Sequence, residues 1–100
     1  MKILIVSATR ENNYRLAKRI GSLLHAEYKM ITLEDYDLPL YKPGGDKADE
    51  SVISALVQNF ENADGFIFCS PEYNASFPPI LTNAITWITI STKNCRDAFN

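Results

Sequence analysis

Cysteine and histidine are nearly missing from this sequence: its 100 residues include two cysteines and one histidine. Cys69 and Cys95 are too few and too widely spaced for a CxxC motif or a disulfide framework. The lone His25 leaves too few ligands for a structural zinc site, so no metal is expected. Both fit plain structural roles, Cys69 as a small buried residue ending an apolar run and His25 in the last turn of a helix. Neither sign of charge dominates. Ten Lys and Arg against twelve Asp and Glu give a net charge of -2, so neither a nucleic acid nor a polybasic membrane contact is expected. No apolar run approaches the ~20 residues needed to span a bilayer. The opening Met-Lys-Ile-Leu-Ile-Val lacks the long apolar stretch and cleavage site of a secretory leader, and a cytoplasmic location is expected.

What is present is a globular chain, 46% hydrophobic and 22% charged, of a length that suits one domain. Residues 2–6, Lys-Ile-Leu-Ile-Val, are apolar after the lysine and do not alternate, as in a strand covered on both faces. Leu16, Ala17, Ile20, Leu23 and Leu24 recur at helical spacing and predict a helix over 13–26. Tyr28–Leu33 predicts a second strand, partly exposed because it carries Lys29 and Thr32. The following segment, 34–49, contains Pro39, Pro43, Gly44 and Gly45 and is long for a compact domain, which points to a functional loop. A second helix is expected over 50–62, with Val52, Ile53, Leu56, Val57 and Phe60 on one side. Ala63-Asp64-Gly65 reads as a turn and Phe66–Cys69 as a third buried strand. A third helix then turns Ile80, Leu81, Ala84, Ile85 and Ile88 inward, with Pro78 and Pro79 at positions a helix start tolerates.

Alternating strands and helices predict an α/β fold with a doubly wound parallel sheet and helices on both faces. With strand order 2-1-3, the loops after strands 1 and 3 lie side by side at the switch point, where such sheets bind ligands. Ser7-Ala8-Thr9-Arg10-Glu11-Asn12-Asn13 forms the first of these loops. An anion there would meet the unpaired N–H groups of a helix start, with Arg10 adding a charge-assisted bond. The loop has no glycine, so neither a P-loop nor a GxGxxG fingerprint applies, and a terminal phosphate monoester suits it better than a pyrophosphate. The plainer alternative is that Ser, Thr and Asn before a helix are ordinary N-caps. The second loop, Ser70–Pro79, holds a carboxylate, a phenol, an amide and a hydroxyl between stiffening prolines. It reads as the rim for a flat heteroaromatic ring, or as a proline-rich turn capped by Asn74 or Ser76.

Pro71-Glu72-Tyr73-Asn74-Ala75-Ser76-Phe77-Pro78, followed by Leu81, Asn83-Ala84-Ile85 and Trp87, resembles the PEYNxSxPxxLKNAIDW signature of the NADPH-dependent FMN reductase family. Asp35-Tyr36-Asp37-Leu38-Pro39-Leu40-Tyr41 is similar to the family's stretch after strand 2. Ser7, Arg10, Asn13 and Leu16-Ala17 follow the order of its phosphate loop. The resemblance implies a flavodoxin-like fold and FMN as cofactor, with NADPH or NADH as co-substrate. It implies phosphate contacts from Ser7, Thr9, Arg10 and Asn13, and a flavin ring bordered by Pro71, Glu72, Tyr73, Asn74 and Ser76. A small-molecule electron acceptor, such as a quinone or free flavin, and a homodimer or homotetramer follow from the same resemblance. No catalytic side chain is expected, because the cofactor carries the chemistry. Several positions depart from the pattern. The phosphate loop is shorter between Arg10 and Asn13, the family's second serine has no clear equivalent, and Thr82 and Thr86 replace the usual Lys and Asp. The family fold has five parallel strands, so residues 1–100 are expected to be the N-terminal part of one flavodoxin-like domain, truncated to about three strands with an unpaired edge on the third. An FMN-binding electron carrier without NAD(P)H turnover and an inactive fragment are the alternatives.

Overall fold

The computed structural model describes residues 1–71 and 78–91. Along the chain these form β1 (Lys2–Ser7), α1 (Asn12–Leu23), β2 (Glu27–Thr32), a 3₁₀ turn (Leu33–Asp35), α2 (Glu50–Glu61), β3 (Gly65–Cys69) and α3 (Pro79–Ser91). The strands make one parallel sheet in the order β2-β1-β3. Leu4, Ile5, Val6 and Ser7 of the central strand are all buried, which accounts for the lack of alternation in β1. On one face Leu4 and Val6 pack with Leu56, Val57 and Phe60 of α2 and with Leu81, Ala84 and Ile88 of α3. On the other, Ile5 and Cys69 pack with Ala17 of α1.

Three expectations about packing need correction. Leu16 and Leu23 of α1 are exposed, and Ala17 and Gly21 are the residues it buries. A close approach selects this face: a Cβ on Gly21 would lie 2.7 Å from Cε2 of Tyr28 on β2. Second, α1 ends at Leu23, and Leu24 adopts extended dihedrals that turn the chain toward β2. His25 is therefore beyond the helix, exposed, and not in its last turn. Third, β3 is less buried than its apolar run suggests. Among the described residues it pairs only with β1, and Phe68 is 38% exposed, although its ring stacks 6.2 Å from that of Phe60.

The long segment after β2 is a strap fastened to α3. Nδ2 of Asn83 and Nε1 of Trp87 both donate to the Pro39 carbonyl, at 3.0 and 2.7 Å. The Tyr41 amide donates to Oδ1 of Asn83 at 2.8 Å, and the Tyr41 ring meets Trp87 edge-on at 5.2 Å. Asn83 and Trp87 are four residues apart, hence on one helix face. Two stretches with separate likenesses to the family, Asp35–Tyr41 and the segment holding Asn83 and Trp87, are thus partners in space. Beyond the strap the chain turns at Lys42–Gly45, where Gly44 takes a φ of 73° that favours glycine.

Asp49 caps α2, accepting from the Ser51 amide at 2.8 Å and the Ser51 hydroxyl at 2.7 Å. The Ser51 hydroxyl, with help from its amide, lowers the carboxyl pKa below the ordinary aspartate range. A depressed native pKa contributes stability that is present above the unfolded pKa, about 3.9, and is lost as pH falls through the native value. Asp49→Asn is expected to reduce the acid dependence of stability below about pH 4, measured by urea unfolding across a pH series.

Candidate functional site

Parallel strands end together, so the loop after β1 and the start of the loop after β3 share the carboxyl edge of the sheet. The Ala8 amide donates to the Cys69 carbonyl at 2.9 Å and ties the two. In register across that edge stand Thr32, Ser7 and Cys69, all buried. Burial pushes the Cys69 thiol pKa up, which keeps it protonated at neutral pH and fits it for packing. Oγ1 of Thr32 has no hydrogen-bond partner among the described residues. Thr32→Val is expected to stabilise the chain by about 1 kcal/mol, because it removes an unpaired buried polar atom. Urea denaturation checks this, and a loss of stability would mean that the hydroxyl finds a partner in solution.

Asn13 is the hub of the first loop. Its Oδ1 accepts from the Ser7 hydroxyl at 2.8 Å and from the Thr9 amide at 2.7 Å, while its Nδ2 donates to Oγ1 of Thr9 at 2.7 Å. The Ser7 hydroxyl is also hydrogen-bonded to the Thr9 carbonyl. The structure therefore brings Ser7, Thr9 and Asn13 together, with their polar atoms spent largely on one another. Glu11 occupies the N-cap position of α1 and gives no side-chain cap. The Tyr14 and Arg15 amides reach the Glu11 carbonyl, so the helix start presents the Asn12 and Asn13 amides toward the loop.

Arg10 is met by two carboxylates. Its guanidinium forms an ion pair with Asp35 and its amide donates to the Glu34 carboxylate. Both acids come from the 3₁₀ turn after β2 and went unnoticed as site residues in the sequence. The signal available was the strand order, which places the end of β2 beside the β1 loop as surely as it places the end of β3. The resulting open cleft, about 340 Å³, is lined by Thr9, Arg10, Glu11, Asn12, Asn13, Glu34 and Pro71. Pro71 is the second-loop residue seen in the cleft. Glu72, Tyr73, Asn74 and Ser76, expected to border a flavin ring, lie outside the described residues, as does Cys95.

The donor set fits a phosphate monoester. It combines a helix start without a side-chain cap, the Thr9 hydroxyl, the Arg10 amide and guanidinium, and no glycine cradle. Glu34 and Asp35 hold the two Arg10 groups in this structure.

A three-stranded parallel sheet of order 2-1-3 with helices on both faces is the architecture of a flavodoxin-like α/β protein. The chain belongs to the NADPH-dependent FMN reductase family, whose pattern it matches over residues 1–100. It is similar to a 2-hydroxy-1,4-benzoquinone reductase of Burkholderia sp, with 34% identity over 90 residues, 87% of this chain and 49% of that one. It is also similar to a quinone reductase of Escherichia coli strain K12, 36% identical over 80 residues, 77% of this chain and 43% of that one. Among solved structures it resembles FerB, a flavoenzyme NAD(P)H:(acceptor) oxidoreductase from Paracoccus denitrificans, at a TM-score of 0.71 and 25% identity, covering 88% of this chain and 50% of that one. The chain spans about half the length of the relatives it matches. Among the described residues no helix is long and apolar enough to cross a membrane.

Proposed function

We propose that this chain carries the phosphate-binding half of an FMN site in an NAD(P)H-dependent reductase whose acceptor is a small molecule such as a quinone or free flavin. One observation carries the reading. In a member of this family, the β1 loop opens onto a helix start without a side-chain cap, beside Pro71, at the carboxyl edge of the sheet. Thr9, the Asn12 and Asn13 amides and Arg10 would hold the phosphate. Ser7 and Asn13 fix the loop from beneath through their mutual hydrogen bond. Pro71, with Glu72, Tyr73, Asn74 and Ser76, would border the ring. When bound, FMN supplies acceptance of hydride from NADPH or NADH and delivery of electrons to the acceptor. This chain's own residues bind and orient, and no side chain is assigned an acid–base step. The names of the quinone reductase relatives support the choice of a small-molecule acceptor. The family resemblance suggests a homodimer or homotetramer, and the opening residues suggest a cytoplasmic location.

Anaerobic addition of NADPH to the FMN-loaded chain tests this directly. Bleaching of the oxidised flavin band, followed by its recovery on adding benzoquinone, is the expected result. Bound flavin that NADPH and NADH both fail to bleach would contradict the reductase reading and favour an electron carrier.

A further inference from the structure

The two carboxylates on the phosphate loop go beyond what the binding reading requires. A loop built to receive an anion is expected to leave its donors pointing at solvent. Here the Arg10 amide is taken by Glu34 and the Arg10 guanidinium by Asp35. These are a backbone N–H and a fork of side-chain N–H groups, the two donor types that recognise phosphate oxygens. Glu34 and Asp35 are adjacent in one 3₁₀ turn, so a single short element delivers both acids. The Tyr36 amide bonds back to the Leu33 carbonyl at 3.1 Å, and the strap that follows is clasped by Asn83 and Trp87. The turn that carries the acids is therefore fixed beside the loop, while their side chains are exposed.

We propose that Glu34 and Asp35 act as an internal anion that occupies the Arg10 donors and competes with the phosphate of FMN for them. This rests on the proposed phosphate site. The contacts are exchanged on binding: the phosphate oxygens take the Arg10 amide and guanidinium, and the carboxylates swing out to water. Glu34 and Asp35 are both exposed, so their release requires no repacking of the core. The device lowers affinity for FMN selectively. Riboflavin, which has no phosphate, does not need the Arg10 donors.

The test is a set of FMN and riboflavin titrations, followed by flavin fluorescence quenching, on wild type, Glu34→Gln, Glu34→Ala, Asp35→Asn and Glu11→Gln. Glu11 lines the same cleft, but its carboxylate makes no bond to Arg10, so Glu11→Gln reports the general effect of removing one negative charge. Glu34→Ala is expected to bind FMN about tenfold more tightly than wild type, with Glu34→Gln between them because its amide oxygen still accepts from Arg10. Asp35→Asn is expected to gain about two- to fivefold, since the ion pair is half exposed and screened by solvent. Riboflavin affinity should not move in any variant. Without flavin, the Arg10 amide proton should shift upfield in the NMR spectrum of Glu34→Ala, as a charge-assisted bond is lost.

Equal gains from Glu11→Gln and Glu34→Ala would overturn the proposal in favour of a diffuse field. Tightening of riboflavin together with FMN would overturn it as well, as would weaker FMN binding by Glu34→Ala. FMN binding that is measurable but insensitive to Glu34 leaves the phosphate site standing and removes the competitor. Absence of FMN binding in every protein of the set would remove both.

Discussion

Asn13→Asp is expected to leave the fold intact and weaken FMN binding about a hundredfold. The substitution is nearly isosteric and keeps an oxygen where Oδ1 accepts from the Ser7 hydroxyl and the Thr9 amide. The donation from Nδ2 to Thr9 is lost, but the Thr9 hydroxyl can turn and donate to the new carboxylate. What changes is charge. A carboxylate about 5 Å from a phosphate, at the effective dielectric of a protein surface, costs roughly 3 kcal/mol of binding. Asn13→Ala should behave in the opposite way. It strands the buried Ser7 hydroxyl and the Thr9 amide and destabilises the fold by about 1–3 kcal/mol. Fluorescence titration with FMN and urea unfolding of both variants separate the two roles. An Asn13→Asp chain that binds FMN as wild type does would place the phosphate away from this loop.

Trp87→Ala is expected to cost about 3–5 kcal/mol, a large part of the stability of a domain this size. Trp87 is buried, and its indole both packs edge-on against Tyr41 and donates to the Pro39 carbonyl. Trp87→Phe keeps most of the buried area and loses the hydrogen bond, so it should cost about 1 kcal/mol beyond any repacking. Urea unfolding monitored by far-ultraviolet circular dichroism suits both, because Trp87 is the only tryptophan and its fluorescence is lost on substitution. An alanine variant within about 1 kcal/mol of wild type would show that the strap is held by something other than this clasp. The consequence for function is indirect. The strap continues from the turn that carries Glu34 and Asp35, so loosening it should also loosen the carboxylates from Arg10.

The parts of this fold that were legible in the sequence are those set by local patterning. The unbroken apolar run of β1, the helical spacing of Leu56, Val57 and Phe60, and the alternation of strands with helices gave the element order. A parallel, doubly wound sheet followed from general rules of chain connection, whereas the 2-1-3 order came from the flavodoxin-like resemblance. Less legible were features decided by contacts between distant residues. The helical stripe in α1 contained Leu16 and Leu23, yet the helix turns Ala17 and Gly21 to the sheet because small residues let it approach Tyr28 closely. Phe68 is more exposed than the apolar run of β3 suggests, because among the described residues β3 pairs only with β1. In the site, Ser7, Thr9, Arg10 and Asn13 were legible as polar residues of the loop after β1. That Asn13 would bind the loop to itself, and that Arg10 would be met by Glu34 and Asp35, depends on where β2 ends relative to β1. The strap was recognised as a loop of unusual length, but its attachment to Asn83 and Trp87 spans more than forty residues of sequence. No propensity argument reaches that far.

The most direct test of the central claim is a parallel titration of the wild-type chain with FMN and with riboflavin, followed by flavin fluorescence quenching. A phosphate-binding loop at β1 predicts saturable, micromolar FMN binding and affinity for riboflavin weaker by about tenfold or more. Equal affinity for the two flavins, or no binding of either, would contradict it.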